Sequence, residues 1–447
     1  MAAVITPPGE GGIAAVRVAG PRSLAILTNH FRPQSERTDH HVTPFMLRYG
    51  QWHDASGRVI DEVTAVYMPE KQSYTGLDQI EIFCHGGRHV VRMLLDSVLG
   101  SGARAAEPGE FTRLAFLNGR IDLARAEAVA EVIAANTRHS YEVSRQHLLG
   151  AYSQEIESLR DRLLRARAEL EASIDFTEED IDPNLLLSMR EPVRDVLTDV
   201  ERLLATYRGG RIINEGFRIV LAGRPNAGKS SLFNLLLRQE RALVNPTAGT
   251  TRDYLSEWID LHGFAVNLID TAGLRTEGDE LEKAGQSRAR ALIDQADLVI
   301  WMVDLADPGW RTHLPADVAG FDPSRTLVTG NKIDLAVGTP DSRIVLSYSC
   351  KTGEGIEALI NAIVASIDDR MPDLTSGVVV TSARHQQKLR TSHDALLLVC
   401  DQLESGDSPD LIAYNLRQAT DALDEITGRI YTEEILGQIF GSFCIGK

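Results

Sequence analysis

The feature that most constrains this chain is residues 217–234, FRIVLAGRPNAGKSSLFN. An apolar run of strand character leads into a glycine turn, and a helical segment opens on a lysine. Gly223, Gly228, Lys229 and Ser230 satisfy GxxxxGK[ST] between a strand and a helix, the context that makes the pattern a phosphate cradle. Glycines let successive backbone N–H groups turn inward around phosphate oxygens, and the helix adds its unpaired N-terminal donors. Asn226, Ala227 and Ser231 complete the loop and the helix start. Lys229 contributes a mobile point charge, and Ser230 a hydroxyl for Mg²⁺.

Further segments follow in the order a GTPase needs. In NPTAGTTRD, Asn245, Pro246, Thr247, Ala248 and Gly249 lead to Thr250 and Thr251, on a loop expected to close over a γ-phosphate with one threonine hydroxyl on Mg²⁺. Asp270, Thr271, Ala272 and Gly273 spell DTAG at a strand end, offering a carboxylate to the metal's water shell and a backbone N–H to the γ-phosphate. Asn331, Lys332 and Asp334 spell NKID; a carboxylate at Asp334 accepts from the two N–H edges of guanine. Adenine would leave it unpaired, a penalty that reaches roughly 10⁴-fold. Ser349, Cys350 and Lys351 stand where such proteins back the base, with cysteine for the usual alanine. The ligand read from these motifs is GTP.

The residue after DTAG is informative by its chemistry. Ras-like GTPases place a water-orienting glutamine there, whereas Leu274 has no polar atom to offer. Glu282, on the same segment, is the candidate for that role, against the plainer reading of one surface glutamate among Glu277, Asp279 and Glu280. Asn226 is a candidate to hold a monovalent cation where other GTPases place an arginine finger.

At 447 residues the chain is expected to hold two to four domains. It has no membrane-length apolar run and no basic-then-apolar leader, so a cytoplasmic protein is expected. Its net charge of −17 argues against a generally sticky nucleic-acid binder, so any such partner must meet a local basic patch. Cys84, Cys350, Cys400 and Cys444 form no CxxC pair, and Cys84, His85 and His89 fit no common zinc spacing.

In chain order, apolar runs at 13–18, 46–52, 63–68 and 79–84, then a helix through Val90, Leu94 and Val98, read as α+β. TPPGEGG, residues 6–12, reads as a connector in preference to a ligand loop. After Pro108 the pattern turns helical. Tyr152, Ile156, Leu159, Leu163, Ala166, Leu170 and Ile174 form one stripe, and Met189, Val193, Val196, Val200, Leu203 and Tyr207 a second. Pro192 is expected in the second helix's first turn or at a kink. Arg160, Arg162, Arg165 and Arg167 read as a solvated face, with an RNA-facing patch as the alternative. Gly209 and Gly210 mark an expected boundary. Strands at 219–221, 265–269, 298–303, 326–328 and 344–346 with a helix at 355–367 read as a parallel α/β domain. Helical pattern resumes at 385–403, 411–423 and 431–440. That tail is too short for its own large core, so the nucleotide domain reads as an insertion in a helical domain.

The segments TPPGEGGIAAVRVAG, GEFTRLAFLNGRIDLARAEAV, GRPNAGKSSLFN, GTTRD, DTAGLR, NKID and FCIGK together resemble the tRNA modification GTPases of the MnmE (TrmE) family over essentially the whole chain. The resemblance implies a multidomain α/β and α protein. Its parts would be an N-terminal α+β folate-binding and dimerisation domain (1–117), a helical domain (118–212 and 373–447) and an inserted Ras-like parallel α/β GTPase domain (213–372). It implies a homodimer whose G domains associate when potassium is bound. With an FAD-dependent partner, MnmG (GidA), it would install an aminomethyl-type group on carbon 5 of the wobble uridine of certain tRNAs, taking a one-carbon unit from a tetrahydrofolate such as 5-formyl-tetrahydrofolate. Carried over by motif, Ser230 and Thr251 would bind Mg²⁺, and Asn226, Asn245, Thr247 and Thr250 would hold K⁺. Glu282 would orient the water. Arg17, Glu81, Arg120 and Lys447 would bind the folate, Arg120 standing where a lysine is also found. Cys444 would lie near it, as a modification-site residue or as a small packed side chain. The rival reading is a ribosome-assembly GTPase acting as an RNA-binding switch, although the chain shows no KH-like GxxG module.

Overall fold

The computed structural model describes residues 1–34, 42–176, 183–239, 241–242, 255–271, 290–336, 341–371 and 377–447. They gather into two compact units. One is Met1–Ala130 with His147–Arg160 and Asp421–Lys447, the other Glu131–Gln146 with Asp161–Thr420.

The first unit is built on six strands: β1 (Ala2–Val4), β2 (Gly11–Ala19), β3 (Phe31–Pro33), β4 (Arg48–His53), β5 (Val59–Met68) and β6 (Gln79–Gly86). They lie in the order β1-β2-β6-β5-β4-β3, each pair antiparallel. Strand alternation sends Ala14, Val16 and Val18 of β2 and Ile80, Ile82 and Cys84 of β6 into one core. Leu94 and Val98 of the helix Arg88–Gly100 join them there. Each fully buried aliphatic side chain of this kind contributes about 1.5–3 kcal/mol. β1 and β3 were not expected, since three residues are too few to display a period of two.

The chain end closes this unit. Thr432 caps the helix Glu433–Gly441 by accepting from the Ile435 N–H. Leu436, Phe440 and Phe443 pack with Phe116 and Leu123. The Lys447 carbonyl then accepts from the Phe111 N–H at 3.0 Å.

The second unit holds seven strands: β7 (Phe217–Gly223), β8 (Arg241–Ala242), β9 (Leu255–Leu261), β10 (Phe264–Asp270), β11 (Leu298–Asp304), β12 (Thr326–Asn331) and β13 (Leu346–Ser347). Their order is β13-β12-β11-β7-β10-β9-β8. The first five are parallel, as the strand–helix alternation predicts. β9 and β8 add an antiparallel edge that the apolar-run reading did not contain, because LSEWIDL mixes charges into its hydrophobic positions. Phe217, Ile219, Leu221, Leu268 and Ile300 form the core with Leu232 of the helix Lys229–Gln239 and Leu359 of the helix Ile356–Asp368.

The helix Pro183–Glu215 bears on two expectations. Pro192 lies inside it, past the first turn, which excludes the first of the two places expected for it. Gly209 and Gly210 do not end it; the chain leaves the helix at Gly216, whose φ is +82°. Gly210 serves close packing instead, since a Cβ there would stand 2.1 Å from the Val380 carbonyl oxygen. The arginine cluster is largely engaged by carboxylates: Arg160 pairs with Asp424, Arg162 with Asp199 at 2.6 Å and Arg167 with Glu171 at 3.1 Å. Among the described residues, no helix is long and apolar enough to cross a membrane.

Candidate functional site: a nucleotide cavity and an N-terminal polar cluster

The parallel strands β7, β10 and β12 end on the same edge of their sheet, and the motifs leave from those ends. β7 is flanked by β11 on one side and β10 on the other, the switch point where α/β sheets open a crevice. A cavity of about 660 Å³ lies there. Its walls come from three stretches far apart in sequence: Asn226, Gly228, Lys229, Ser230 and Ser231; Asn331, Lys332 and Asp334; and Ser349, Cys350 and Lys351.

Local bonds explain the residue types. Asn226 has φ 62°, a left-handed backbone that asparagine tolerates better than most residues. Gly228 has φ +98°, and a Cβ there would stand 2.1 Å from Asn331 Nδ2. Asn331 staples three loops together: its Nδ2 donates to the Ala227 carbonyl at 2.8 Å, and its Oδ1 accepts from the N–H groups of Lys332 at 2.8 Å and Cys350 at 3.1 Å. Ser349 Oγ accepts from the N–H groups of Lys351 and Thr352, each at 3.2 Å. Burial pushes the Cys350 thiol up to about 11, so it stays protonated near neutral pH. Asp334 is exposed to the cavity mouth.

Lys229 is buried, and its Nζ donates to the carbonyls of Gly223 at 2.9 Å and Arg224 at 3.0 Å. Ser230 Oγ donates to Asp270 Oδ2 at 2.7 Å, and Thr271 Oγ1 donates to the Leu221 carbonyl at 2.8 Å. A hydroxyl and a fully buried carboxylate therefore meet beside the lysine. Hard oxygen donors of this kind suit Mg²⁺.

In the first unit, Arg17 and Glu81 face each other across β2 and β6 and form an ion pair at 2.9 Å. The Arg17 guanidinium lies 5.5 Å from the Tyr74 ring centre and 5.4 Å from that of Phe111. Phe111 is also the residue that docks the Lys447 backbone, so Arg17, Glu81 and the chain end share one neighbourhood. Arg120 bonds elsewhere, its Nη1 donating to the Lys71 carbonyl at 2.8 Å. Cys444 is exposed. Thr6, Pro7, Pro8 and Gly9 line a separate cavity of about 690 Å³ with Arg88, Arg92 and Ile445. None of Arg17, Glu81, Arg120 and Lys447 lines it.

Residues 1–120 match the family described as "GTP-binding protein TrmE N-terminus", and residues 123–444 match "MnmE helical domain". The tRNA modification GTPase MnmE of Carboxydothermus hydrogenoformans is 37% identical, with 100% of this chain and 99% of that protein covered. That of Symbiobacterium thermophilum is 42% identical, again with 100% and 99% covered. This chain belongs to the tRNA modification GTPase MnmE family. Among solved structures, the G domain of the T. maritima FeoB iron transporter aligns at 28% identity. The alignment spans 34% of this chain and 98% of that one, with a TM-score of 0.26, too low to weigh.

As an MnmE-family member the protein is a tRNA modification GTPase; the ribosome-assembly alternative, itself a GTPase, gains no support from that membership. Asn245, Pro246, Thr247, Ala248, Gly249, Thr250, Thr251, Ala272, Gly273, Leu274 and Glu282 lie outside the described residues. Two polar partners escaped the sequence reading. Arg224 pairs with Asp317 through two bonds, at 2.6 and 2.9 Å, and Lys332 Nζ pairs with Asp304 Oδ2 at 2.6 Å. Each joins residues from separate segments, so no local pattern announces it. The one available hint is that Asp304 stands at the end of an apolar strand, as Asp270 does.

Proposed function

We propose that the cavity takes GTP, with the loop from Gly223 to Ser231 around the phosphates and Asp334 on guanine. The convergence of three distant motifs on one cavity carries this reading. Ser230 and Thr251 would hold Mg²⁺, with Asp270 in its water shell. Bound there, the metal would supply positive charge against the phosphates. Asn226, with Asn245, Thr247 and Thr250, would hold K⁺. Glu282 orients the attacking water, and Lys229 with the loop N–H groups meets the charge that develops on the phosphate oxygens. Exchanging K⁺ for Na⁺ in a GTPase assay should slow turnover sharply; equal rates would sink the cation role. Glu282→Ala should keep GTP binding and lose about 10²-fold or more in turnover.

The protein acts in tRNA modification. Residues 1–117 form the folate-binding and dimerisation domain, 118–212 and 373–447 the helical domain, and 213–372 the inserted G domain. Arg17, Glu81, Arg120 and Lys447 would hold a tetrahydrofolate, which would supply the one-carbon unit, with Cys444 beside it. A homodimer working with the FAD-dependent MnmG modifies carbon 5 of the wobble uridine. The Arg17–Glu81 pair and the docked chain end support the folate placement.

GTP-driven conformational change gains support from His139. Its ring stacks on Phe264 at 4.5 Å, and its Nδ1 bonds the Gly263 carbonyl at 2.9 Å. The helix Arg138–Leu148 is thereby tied to the β9–β10 hairpin, which lies in sequence between the two loops expected to sense the γ-phosphate. Mass spectrometry of wobble uridines in cells lacking the gene tests the whole: loss of the carbon-5 group supports it, and an unchanged nucleoside profile overturns it.

A further inference from the structure

Asp304 belongs to none of the nucleotide motifs, yet it reaches into one of them. It ends β11, in register with Asn331 of β12. Its Oδ1 accepts from the Ala306 N–H at 3.0 Å, and its Oδ2 accepts from Lys332 Nζ at 2.6 Å. The carboxylate is thus oriented by backbone on one oxygen and presents the other to the ammonium.

Lys332 is held at both ends. Its backbone is left-handed, with φ 64°, and its N–H donates to Asn331 Oδ1 at 2.8 Å. With the backbone set by Asn331 and Nζ set by Asp304, the methylene stem between them has little freedom, and Lys332 lines the cavity beside Asp334 and Cys350. The pair is 32% and 21% exposed, so water screens it only in part. A lysine stem presents apolar surface along its length while its charged end is satisfied elsewhere. A flat purine needs an apolar face of that kind.

We infer that Asp304 is a positioning residue for guanine-nucleotide binding: it pins Lys332 so that the methylene stem forms a preformed wall for the base. The inference rests on reading the cavity as the GTP site. An unpinned lysine would sample many rotamers, and each binding event would have to order it. The effect belongs to affinity, since the phosphate chemistry is assigned to Lys229, Ser230 and Glu282.

Asp304→Asn keeps an acceptor for the Ala306 N–H and removes the charge. It should raise the dissociation constant for a fluorescent methylanthraniloyl-GDP, and KM for GTP, about fivefold, with kcat at saturating GTP unchanged. Lys332→Met keeps a stem and removes the ammonium. The double variant should bind no more weakly than the weaker single variant, because both remove one interaction. Additive losses, unchanged affinity in Asp304→Asn, or equal falls in kcat and kcat/KM would overturn the assignment. A thermal melt of Asp304→Asn should match the parent protein; a lowered midpoint with unchanged affinity would also overturn it. Asp334→Asn, which should shift preference toward xanthine nucleotides, tests the underlying site. Its failure would remove the base pocket itself, a result distinct from failure of Asp304.

Discussion

The nucleotide cavity and the N-terminal polar cluster both gather positive charge, but they are built in opposite ways. In the cavity, backbone does most of the holding. Lys229 rests on two carbonyls, Asn331 ties three loops through main-chain groups, and Gly228 has a geometry that excludes a Cβ. In the cluster, side chains hold side chains. Arg17 is fixed by the Glu81 carboxylate and lies against two aromatic rings. A site made of backbone is vulnerable to added atoms, and a site made of side chains to removed ones.

The largest expected effect tests the first half of that contrast. Gly228→Ala adds one carbon at a left-handed φ, 2.1 Å from Asn331 Nδ2, and must displace the amide that joins the three loops. GTP affinity should fall roughly 10²-fold, while tetrahydrofolate binding stays unchanged, both readable by titration calorimetry. A variant that still binds GTP normally would break the comparison.

Arg17→Ala tests the other half by deletion. It leaves Glu81 with the Gln79 amide at 3.2 Å and strips the cation from Tyr74 and Phe111. Folate affinity should fall about tenfold or more, and the N-terminal unit should lose about 2 kcal/mol in a denaturant titration. GTP affinity should not change. Arg17→Lys keeps the charge without the planar fork, so it should land between the two. A lysine variant as weak as alanine would show that stacking geometry, and not charge, carries the site.

The same contrast explains what the sequence made legible. A backbone-built site writes itself in contiguous motifs, because glycines and caps act on their own neighbours; Gly228, Asp270 and Asn331 each stand in such a motif, although Asn331 was read for base specificity and its tie of three loops was not legible, and the strands beneath them followed from apolar runs. A side-chain-built site is scattered over Arg17, Glu81, Phe111 and the chain end, brought together by strand register and by the docking of the Lys447 carbonyl. Only the family resemblance pointed there. Gly209 and Gly210 misled for a related reason. A glycine pair signals a boundary when only local propensity is considered, whereas Gly210 answers to the Val380 carbonyl, distant in sequence. β9 stayed hidden because an edge strand carries polar residues that blur its period, and Asp304 because its partner comes from another strand's end.

The smallest expected effect has a definite sign and belongs to the N-terminal sheet alone. Asp61 accepts from His85 twice, from the ring Nδ1 through Oδ1 and from the backbone N–H through Oδ2, each at 2.8 Å. The ring's bond to Asp61, reinforced by the carboxylate's charge, raises the His85 pKa above its ordinary 6.5. A group whose pKa is higher folded than unfolded stabilises the fold fully below the unfolded value, and that contribution is lost as pH rises through the folded one. The N-terminal unit should therefore melt slightly lower at roughly pH 8.5 than at roughly pH 5.5 on this account, the window in which histidine changes charge. Asp61→Asn still accepts from the backbone N–H but carries no charge, so the part of the pH dependence due to His85 should vanish from its melting curves. If parent and variant show the same pH dependence, the pair is a surface contact with no hold on the sheet. If the difference appears instead in GTP affinity, the two sites are not independent, and the contrast between them fails at its smallest term.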